Sequence, residues 1–332
     1  MAQTSGMEIP TIDIGPFLSG DPAGRDAVAR AVAEACKTVG FLVISGHGLP
    51  QETLSRAISL GMDFFDLPQA EKDRFHPTGA ARQRGYHRVA TRNLGATLGA
   101  KTPPDLRESI FLGPVDDHSA HYAALADAET AYAGNTIPDV PAGFDAALVD
   151  LYRAFERLSR DMMRITARAL DQDEDGFAAL LDRHFSVFGM HHYPMLATPP
   201  EPGQLRAGAH TDFGAMTLLA TTEGRGGLEV QMADGRWVPV LPKAGELVVN
   251  LGDMMQRWTN DRWVSTLHRV VVPDTGDAQS RRMSIGYFVH PNFDAEIRCV
   301  PTCLRDGEGA RYPTITAGEH IRRKIDASHK AA

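Results

Sequence analysis

An α+β fold, with a double-stranded β-helix (jelly-roll) core backed by helices, is the class this sequence predicts, and three observations predict it. Between 144 and 171, Leu148, Leu151, Phe155, Leu158, Met162 and Ile165 recur at spacings of three and four, the period of one helix face. After Phe185 the chain changes to short apolar runs broken by Gly, Pro and Asp-Gly, the pattern of an antiparallel sandwich or barrel. Helical segments come first and strands later, with no glycine-rich phosphate-binding motif, which argues against a doubly wound sheet.

Taken in order, residues 8–14 alternate apolar and polar before Gly15-Pro16, as a short strand does. Asp21-Pro22 then opens a helix whose Val28, Val32 and Cys36 share a face, and Gly40 ends it. Gly40 to Ser45 reads as a buried strand, Gly46-His47-Gly48 as its turn, and Gln51 to Phe65 as a second amphipathic helix. From Thr78 to Ala142 no period is sustained, which predicts mainly loops and one short helix. The 144–171 helix should lie along a sheet, its methionines filling core. Leu228, Val230 and Met232 alternate up to Asp234-Gly235, and Trp237, Val238 and Val240 follow, which predicts a hairpin. Glu246 to Leu251, Trp263 to Val272 and Arg282 to His290 are three further strands.

The composition narrows the function classes. With 332 residues, 43% hydrophobic and 23% charged, the chain is globular and not fibrous or disordered. Its 42 acidic against 34 basic residues give a net charge of −8, which disfavours nucleic acid and favours small-molecule substrates. The longest apolar runs fall far short of the roughly 20 residues of a bilayer span. Met1 to Pro10 lacks a basic region followed by an apolar one. Three cysteines, Cys36, Cys299 and Cys303, are too few for a disulfide framework, so a reducing cytoplasm is expected. A monomer without membrane partners is expected as well. A metal pair at Cys299 and Cys303 is the sharper alternative, but no second pair completes a zinc site.

His210-Thr211-Asp212 sets an imidazole and a carboxylate at i and i+2, on one side of the chain if the segment is extended. Alone, His-x-Asp is weak. His268 lies in Ser265-Thr266-Leu267-His268-Arg269-Val270, and two hairpins separate the segments, enough chain to make them antiparallel neighbours. Two histidines and one carboxylate with open positions suit non-haem Fe(II), whereas zinc favours closed tetrahedral sites. Arg282-Met283-Ser284 repeats the i, i+2 logic with a guanidinium and a hydroxyl, a candidate carboxylate clamp for which lysine would supply only a point charge.

These residues resemble the iron(II)/2-oxoglutarate-dependent oxygenases of the isopenicillin N synthase-like family, bacterial type. Ile9-Pro10-Thr11-Ile12-Asp13 is similar to that family's opening strand, and Gly40-Phe41-Leu42-Val43-Ile44-Ser45-Gly46-His47-Gly48 to its first long motif. Arg84-Gly85-Tyr86, Asp105-Leu106-Arg107-Glu108-Ser109, Asn250-Leu251-Gly252-Asp253, Trp258-Thr259-Asn260, Tyr312-Pro313 and Ala317-Gly318-Glu319 carry the likeness over nearly the whole chain.

The resemblance implies that His210, Asp212 and His268 bind iron, and that Arg282 and Ser284 hold the distal carboxylate of 2-oxoglutarate with Tyr193 beside them. His191 stands where plant members usually have Asn, and is a contact candidate; His192 is read as packing. Phe213 and Phe288 are candidate pocket walls. Arg84, His87 and Arg88 read as a solvated basic loop, with an acidic substrate as the alternative. The implied reaction consumes 2-oxoglutarate and O2, releases succinate and CO2, and hydroxylates, desaturates or cyclises a small molecule. Oxidases of the same group that use no 2-oxoglutarate, ethylene-forming enzymes and a metabolite-binding sensor are the alternatives. One catalytic unit over 1–332 is expected, with an N-terminal region at 8–115 and the jelly roll at 185–295.

Overall fold

A computed structural model describes residues 8–79, 83–99, 102–196, 198–222, 227–272 and 281–331, with side chains to residue 326. In chain order the elements are β1 (Thr11–Asp13), α1 (Gly15–Leu18), α2 (Pro22–Thr38), β2 (Phe41–Ser45), α3 (Gln51–Phe65), α4 (Gln69–Asp73), β3 (Gly85–His87) and β4 (Glu108–Leu112). There follow α5 (Ser119–Tyr122), α6 (Ala128–Tyr132), α7 (Phe144–Ala169), β5 (Val187–Tyr193), β6 (Ala207–His210), β7 (Met216–Thr221), β8 (Leu228–Gln231) and β9 (Trp237–Pro239). The remainder are β10 (Leu247–Leu251), α8 (Asp253–Trp258), β11 (His268–Val270), β12 (Arg282–Val289), β13 (Glu296–Ile297), β14 (Ile315–Thr316) and α9 (Ala317–Ala331).

Among the described residues, eight strands form a large sheet in the order β1-β2-β10-β7-β12-β5-β4-β3, and four form a small one, β6-β11-β8-β9. Together they make the jelly-roll core. The β-strand period of two divides the side chains of the large sheet. Leu42, Ile44, Leu247, Val249, Met190, Met283 and Ile285 join the core beneath the helices. Phe41, Val43, Val248 and Tyr193 face the other way and pack with Leu228, Val230 and Val270 of the small sheet. Burial on both faces explains why β2 and β10 read as continuous apolar runs.

Helix α7 buries its predicted stripe, Leu148, Leu151, Phe155, Leu158, Met162 and Ile165, against this outer face, and Met162 and Met163 are core. Each such side chain contributes roughly 1.5–3 kcal/mol. Helix α2 starts where its signals say: Pro22 takes the first helical position and the Asp21 carboxylate accepts the Gly24 amide at 2.8 Å. It ends at Gly40, whose φ of +70° turns the chain into β2. A Cβ there would stand 2.0 Å from the Val264 carbonyl oxygen. Gly40→Ala therefore meets both a left-handed backbone and a clash, and should lower the stability by about 2 kcal/mol or more, read as a lower denaturant midpoint.

Three expectations are corrected. Residues 78–142 hold β3 and β4, which extend the large sheet beyond β5, in addition to short helices. The strand expected over Trp263 to Val272 is confined to His268–Val270, because Val264, Ser265 and Trp263 donate their amides to Cys36 O, Gln256 Oε1 and Thr259 Oγ1 instead of to a strand. The Arg84, His87 and Arg88 segment is not a solvated basic loop. Arg84 is buried and donates to the Ala131 and Ala133 carbonyls, and His87 is buried; only Arg88, paired with Asp73, is exposed as expected.

Candidate active site

Strands β6 and β11 are antiparallel neighbours in the small sheet, with His210 directly opposite His268. Asp212 lies two residues past the end of β6, in the turn that leads to β7. Its backbone carbonyl accepts the Asp253 amide at 2.8 Å, so the first turn of α8 fixes that turn. Gly252 allows this approach, since a Cβ there would meet the Gly214 carbonyl oxygen at 2.2 Å. One potential ligand atom from each of His210, Asp212 and His268 lies within 4.8 Å of the others.

The hydrogen bonds decide which atoms are free to bind. His210 Nδ1 donates to Gly208 O at 2.7 Å and His268 Nδ1 to Thr266 O at 3.1 Å, which leaves each Nε2 with its lone pair. Those Nε2 atoms lie 3.7 and 3.9 Å from Asp212 Oδ1. The other carboxylate oxygen, Oδ2, accepts from Thr217 Oγ1 at 2.6 Å and Asn250 Nδ2 at 2.7 Å. Burial, and then the neighbouring His268, holds the His210 pKa down at about 3, so the ring is neutral, the form that binds metal. Burial pushes the Asp212 carboxyl up, but the adjacent imidazoles and the two hydrogen bonds outweigh it and leave it below the ordinary value. Two imidazole nitrogens and one carboxylate oxygen, each oriented by a bond at its other atom, fit a 2-His-1-carboxylate iron site.

On β12, Arg282 and Ser284 project from one face, opposite Tyr193 and His191 of β5. Arg282 is 6% exposed, its guanidinium lies 4.9 Å from the Tyr193 ring centre, and its Nε and Nη1 have no hydrogen-bond partner among the described residues. Burial lowers its pKa. Ser284 Oγ stands 3.3 Å from the Tyr193 hydroxyl. A buried guanidinium left without an acceptor is costly, so this pocket fits a carboxylate. One cavity joins the triad to Arg282, Ser284 and Tyr193.

The same cavity is lined by His191 and Phe288. His191 Nδ1 stands 2.8 Å from Ser109 Oγ, and burial keeps its pKa well below the ordinary value. Phe213 is not among the lining residues: it follows the inward Asp212 by one position, and its carbonyl accepts His320 Nε2 at 3.0 Å. His192 faces the helices, stacked on Phe65, with Nδ1 2.8 Å from Glu108 Oε1. Sequence reasoning missed the parts played by Thr217 and Asn250 in orienting Asp212. It also missed Arg107, which lines the cavity from the start of β4. The Asn250-Leu251-Gly252-Asp253 and Asp105-Leu106-Arg107-Glu108-Ser109 motifs were the available signals.

Two family models match the chain: the non-haem dioxygenase in morphine synthesis N-terminal domain over residues 9–135, and the 2OG-Fe(II) oxygenase superfamily over residues 184–291. The 2-oxoglutarate-Fe(II) type oxidoreductase hxnY of Emericella nidulans is 32% identical, over 97% of this chain and 91% of its own. Validamycin A dioxygenase of Streptomyces hygroscopicus subsp. limoneus is 32% identical, over 95% of this chain and 85% of its own. Among solved structures, a full-length Neurospora crassa protein in complex with alpha-KG superposes with a TM-score of 0.84 at 28% identity, covering 98% of each chain.

Proposed function

The chain belongs to the 2OG-Fe(II) oxygenase superfamily and is a non-haem Fe(II)- and 2-oxoglutarate-dependent dioxygenase of small molecules, and from that premise we propose that His210, Asp212 and His268 hold the iron while Arg282, Ser284 and Tyr193 hold the distal carboxylate of 2-oxoglutarate. The observation that carries this assignment is the meeting, in one cavity, of three oriented ligand atoms with a buried, unpaired guanidinium.

When bound, Fe(II) supplies open positions at which 2-oxoglutarate and O2 react, giving succinate, CO2 and an oxidant for a substrate C–H bond. The protein's own part is positioning. Thr217 and Asn250 hold the Asp212 carboxylate by one oxygen and leave the other to the metal. The Gly208 and Thr266 carbonyls fix both imidazole tautomers. Arg282 orients 2-oxoglutarate by charge-assisted bonds, and the apolar neighbours Phe41, Leu228 and Val270 keep water from the site. Ser284→Ala removes one neutral donor and should weaken 2-oxoglutarate by about 1 kcal/mol, roughly fivefold in its dissociation constant.

We take the protein to act as a monomer, its triad and carboxylate pocket meeting in one cavity. The unpaired cysteines suit a reducing cytoplasm, and the net charge of −8 suits the absence of nucleic-acid partners. No helix among the described residues is long and apolar enough to cross a membrane. Residues 1–332 act as one catalytic unit, because β1 to β4 from the 8–115 region complete the large sheet of the 185–295 jelly roll. The test is a panel of small carboxylic acids, amino acids and phenolic metabolites assayed for iron-dependent conversion of 2-oxoglutarate to succinate. Stimulated succinate release, lost in the triad variants, is expected. Oxygen uptake and product formation without succinate would sink the clamp assignment.

A further inference from the structure

The cavity has a second guanidinium that the cosubstrate does not explain. Arg107 lines it from the start of β4, with its side chain 9% exposed and its Nε buried without a hydrogen-bond partner among the described residues. The nearest carboxylate, Asp105, is 3.8 Å from the Arg107 guanidinium. It is already engaged, accepting the Gly208 amide at 2.9 Å and the Leu94 amide at 3.2 Å. Arg107 immediately precedes β4, which is separated from β12 by β5, so the Arg107 and Arg282 backbones lie about 10 Å apart, two strand spacings. Its positive charge is felt by the His191 and His210 rings as well as by Asp105.

A second cation reinforces the first. The Arg92 guanidinium lies 4.4 Å from the Phe111 ring centre, with Nη2 3.4 Å from His87 Nε2. Burial, and then the charge of Arg107, lowers its pKa to about 10. Burial, and then Arg92, keeps His87 neutral with a pKa of about 3. Behind the cavity wall the half-buried Arg92 thus adds a second guanidinium to that of Arg107, against the one carboxylate of Asp105, and Arg107 itself is too buried for water to screen it fully.

We propose that the substrate to be oxidised is a carboxylic acid, and that Arg107 binds its carboxylate, with Arg92 adding to the positive potential. This rests on the function proposed above and names its substrate class. A planar guanidinium edge matches a carboxylate through paired charge-assisted hydrogen bonds, and Arg107 lines the cavity beside the triad, where a substrate held by one end can present a C–H bond.

The test uses protein loaded anaerobically with Mn(II) and 2-oxoglutarate. Aliphatic and aromatic carboxylic acids, each paired with its primary amide, are titrated while paramagnetic broadening of their proton NMR signals is followed. At least one acid should bind about tenfold or more tightly than its amide. Arg107→Met should reduce that ratio to near one with an unchanged 2-oxoglutarate dissociation constant, and Arg107→Lys should retain part of it. Equal behaviour of acids and amides with the unmodified protein, or a preserved ratio in Arg107→Met, overturns the proposal. So does a raised 2-oxoglutarate requirement in that variant, which would assign Arg107 to the cosubstrate. If the unmodified protein fails to bind Mn(II) and 2-oxoglutarate, the proposed function itself fails, and this inference with it.

Discussion

Asp212→Ala is expected to abolish turnover, by about a thousandfold or more, equivalent to roughly 4 kcal/mol, while the protein stays folded. The carboxylate is the anionic member of the triad, and Oδ1 faces the two free imidazole nitrogens. Its loss leaves the metal two neutral ligands and no charge to offset its own. The fold loses less. Deletion orphans the Thr217 hydroxyl and the Asn250 amide, at about 1–3 kcal/mol each, but it also removes a charge that burial disfavours. Succinate release and the circular dichroism melting curve, measured on the same preparation, separate the two effects. Undiminished turnover would remove Asp212 from the site.

Arg282→Ala should weaken 2-oxoglutarate by about 2–5 kcal/mol, the cost of truncating one partner of a buried, hydrogen-bonded charge pair. That is an increase in the dissociation constant from about 30-fold upward. Fe(II) affinity without cosubstrate should change little, because no triad atom is bonded to Arg282. Arg282→Lys should recover only part of the loss, since a point charge cannot reproduce two parallel hydrogen bonds. Anaerobic titration of each variant with 2-oxoglutarate checks this. An unchanged affinity in Arg282→Ala would mean that another cation holds the cosubstrate, with Arg107 the first to examine.

The parts of the fold that were legible in the sequence are those where one physical period dominates. The α7 stripe and the Gln51–Phe65 helix are amphipathic, and β2, β10 and β12 are buried on both faces and apolar except where Asn250, Arg282 and Ser284 enter the site. Strands β3 and β4 were not legible because polar residues occupy both of their faces. Outward, Glu108 takes hydrogen bonds from Lys72 Nζ at 2.8 Å and from the Tyr86 hydroxyl, with His192 beside it; inward, Ser109 meets His191. Such strands have no apolar alternation to detect. The site divides in the same way. His-x-Asp and Arg-x-Ser are local spacings, visible along the chain; the antiparallel return that sets His268 opposite His210 was expected, but through two hairpins, whereas the described chain between them holds one, β8–β9, and two strands, β7 and β10, of the other sheet. The contact of Asn250 with Asp212 spans 38 residues. The aim of Arg107 depends on the register of β4 with β5. Neither is written in a local pattern. Phe213 is absent from the cavity lining because it follows the inward Asp212 by one position, so adjacency to a triad residue in the sequence did not place it on the same side of the chain.

The most direct test of the central claim is an anomalous difference map at the iron edge, from crystals grown anaerobically with Fe(II) and 2-oxoglutarate. The account predicts one strong peak bonded to His210 Nε2, Asp212 Oδ1 and His268 Nε2 at about 2.0–2.2 Å, distances ordinary for nitrogen and oxygen ligands of a divalent metal. It also predicts the distal carboxylate of 2-oxoglutarate on Arg282 and Ser284. Iron at any other set of ligands, or 2-oxoglutarate with its distal carboxylate away from Arg282, would contradict it.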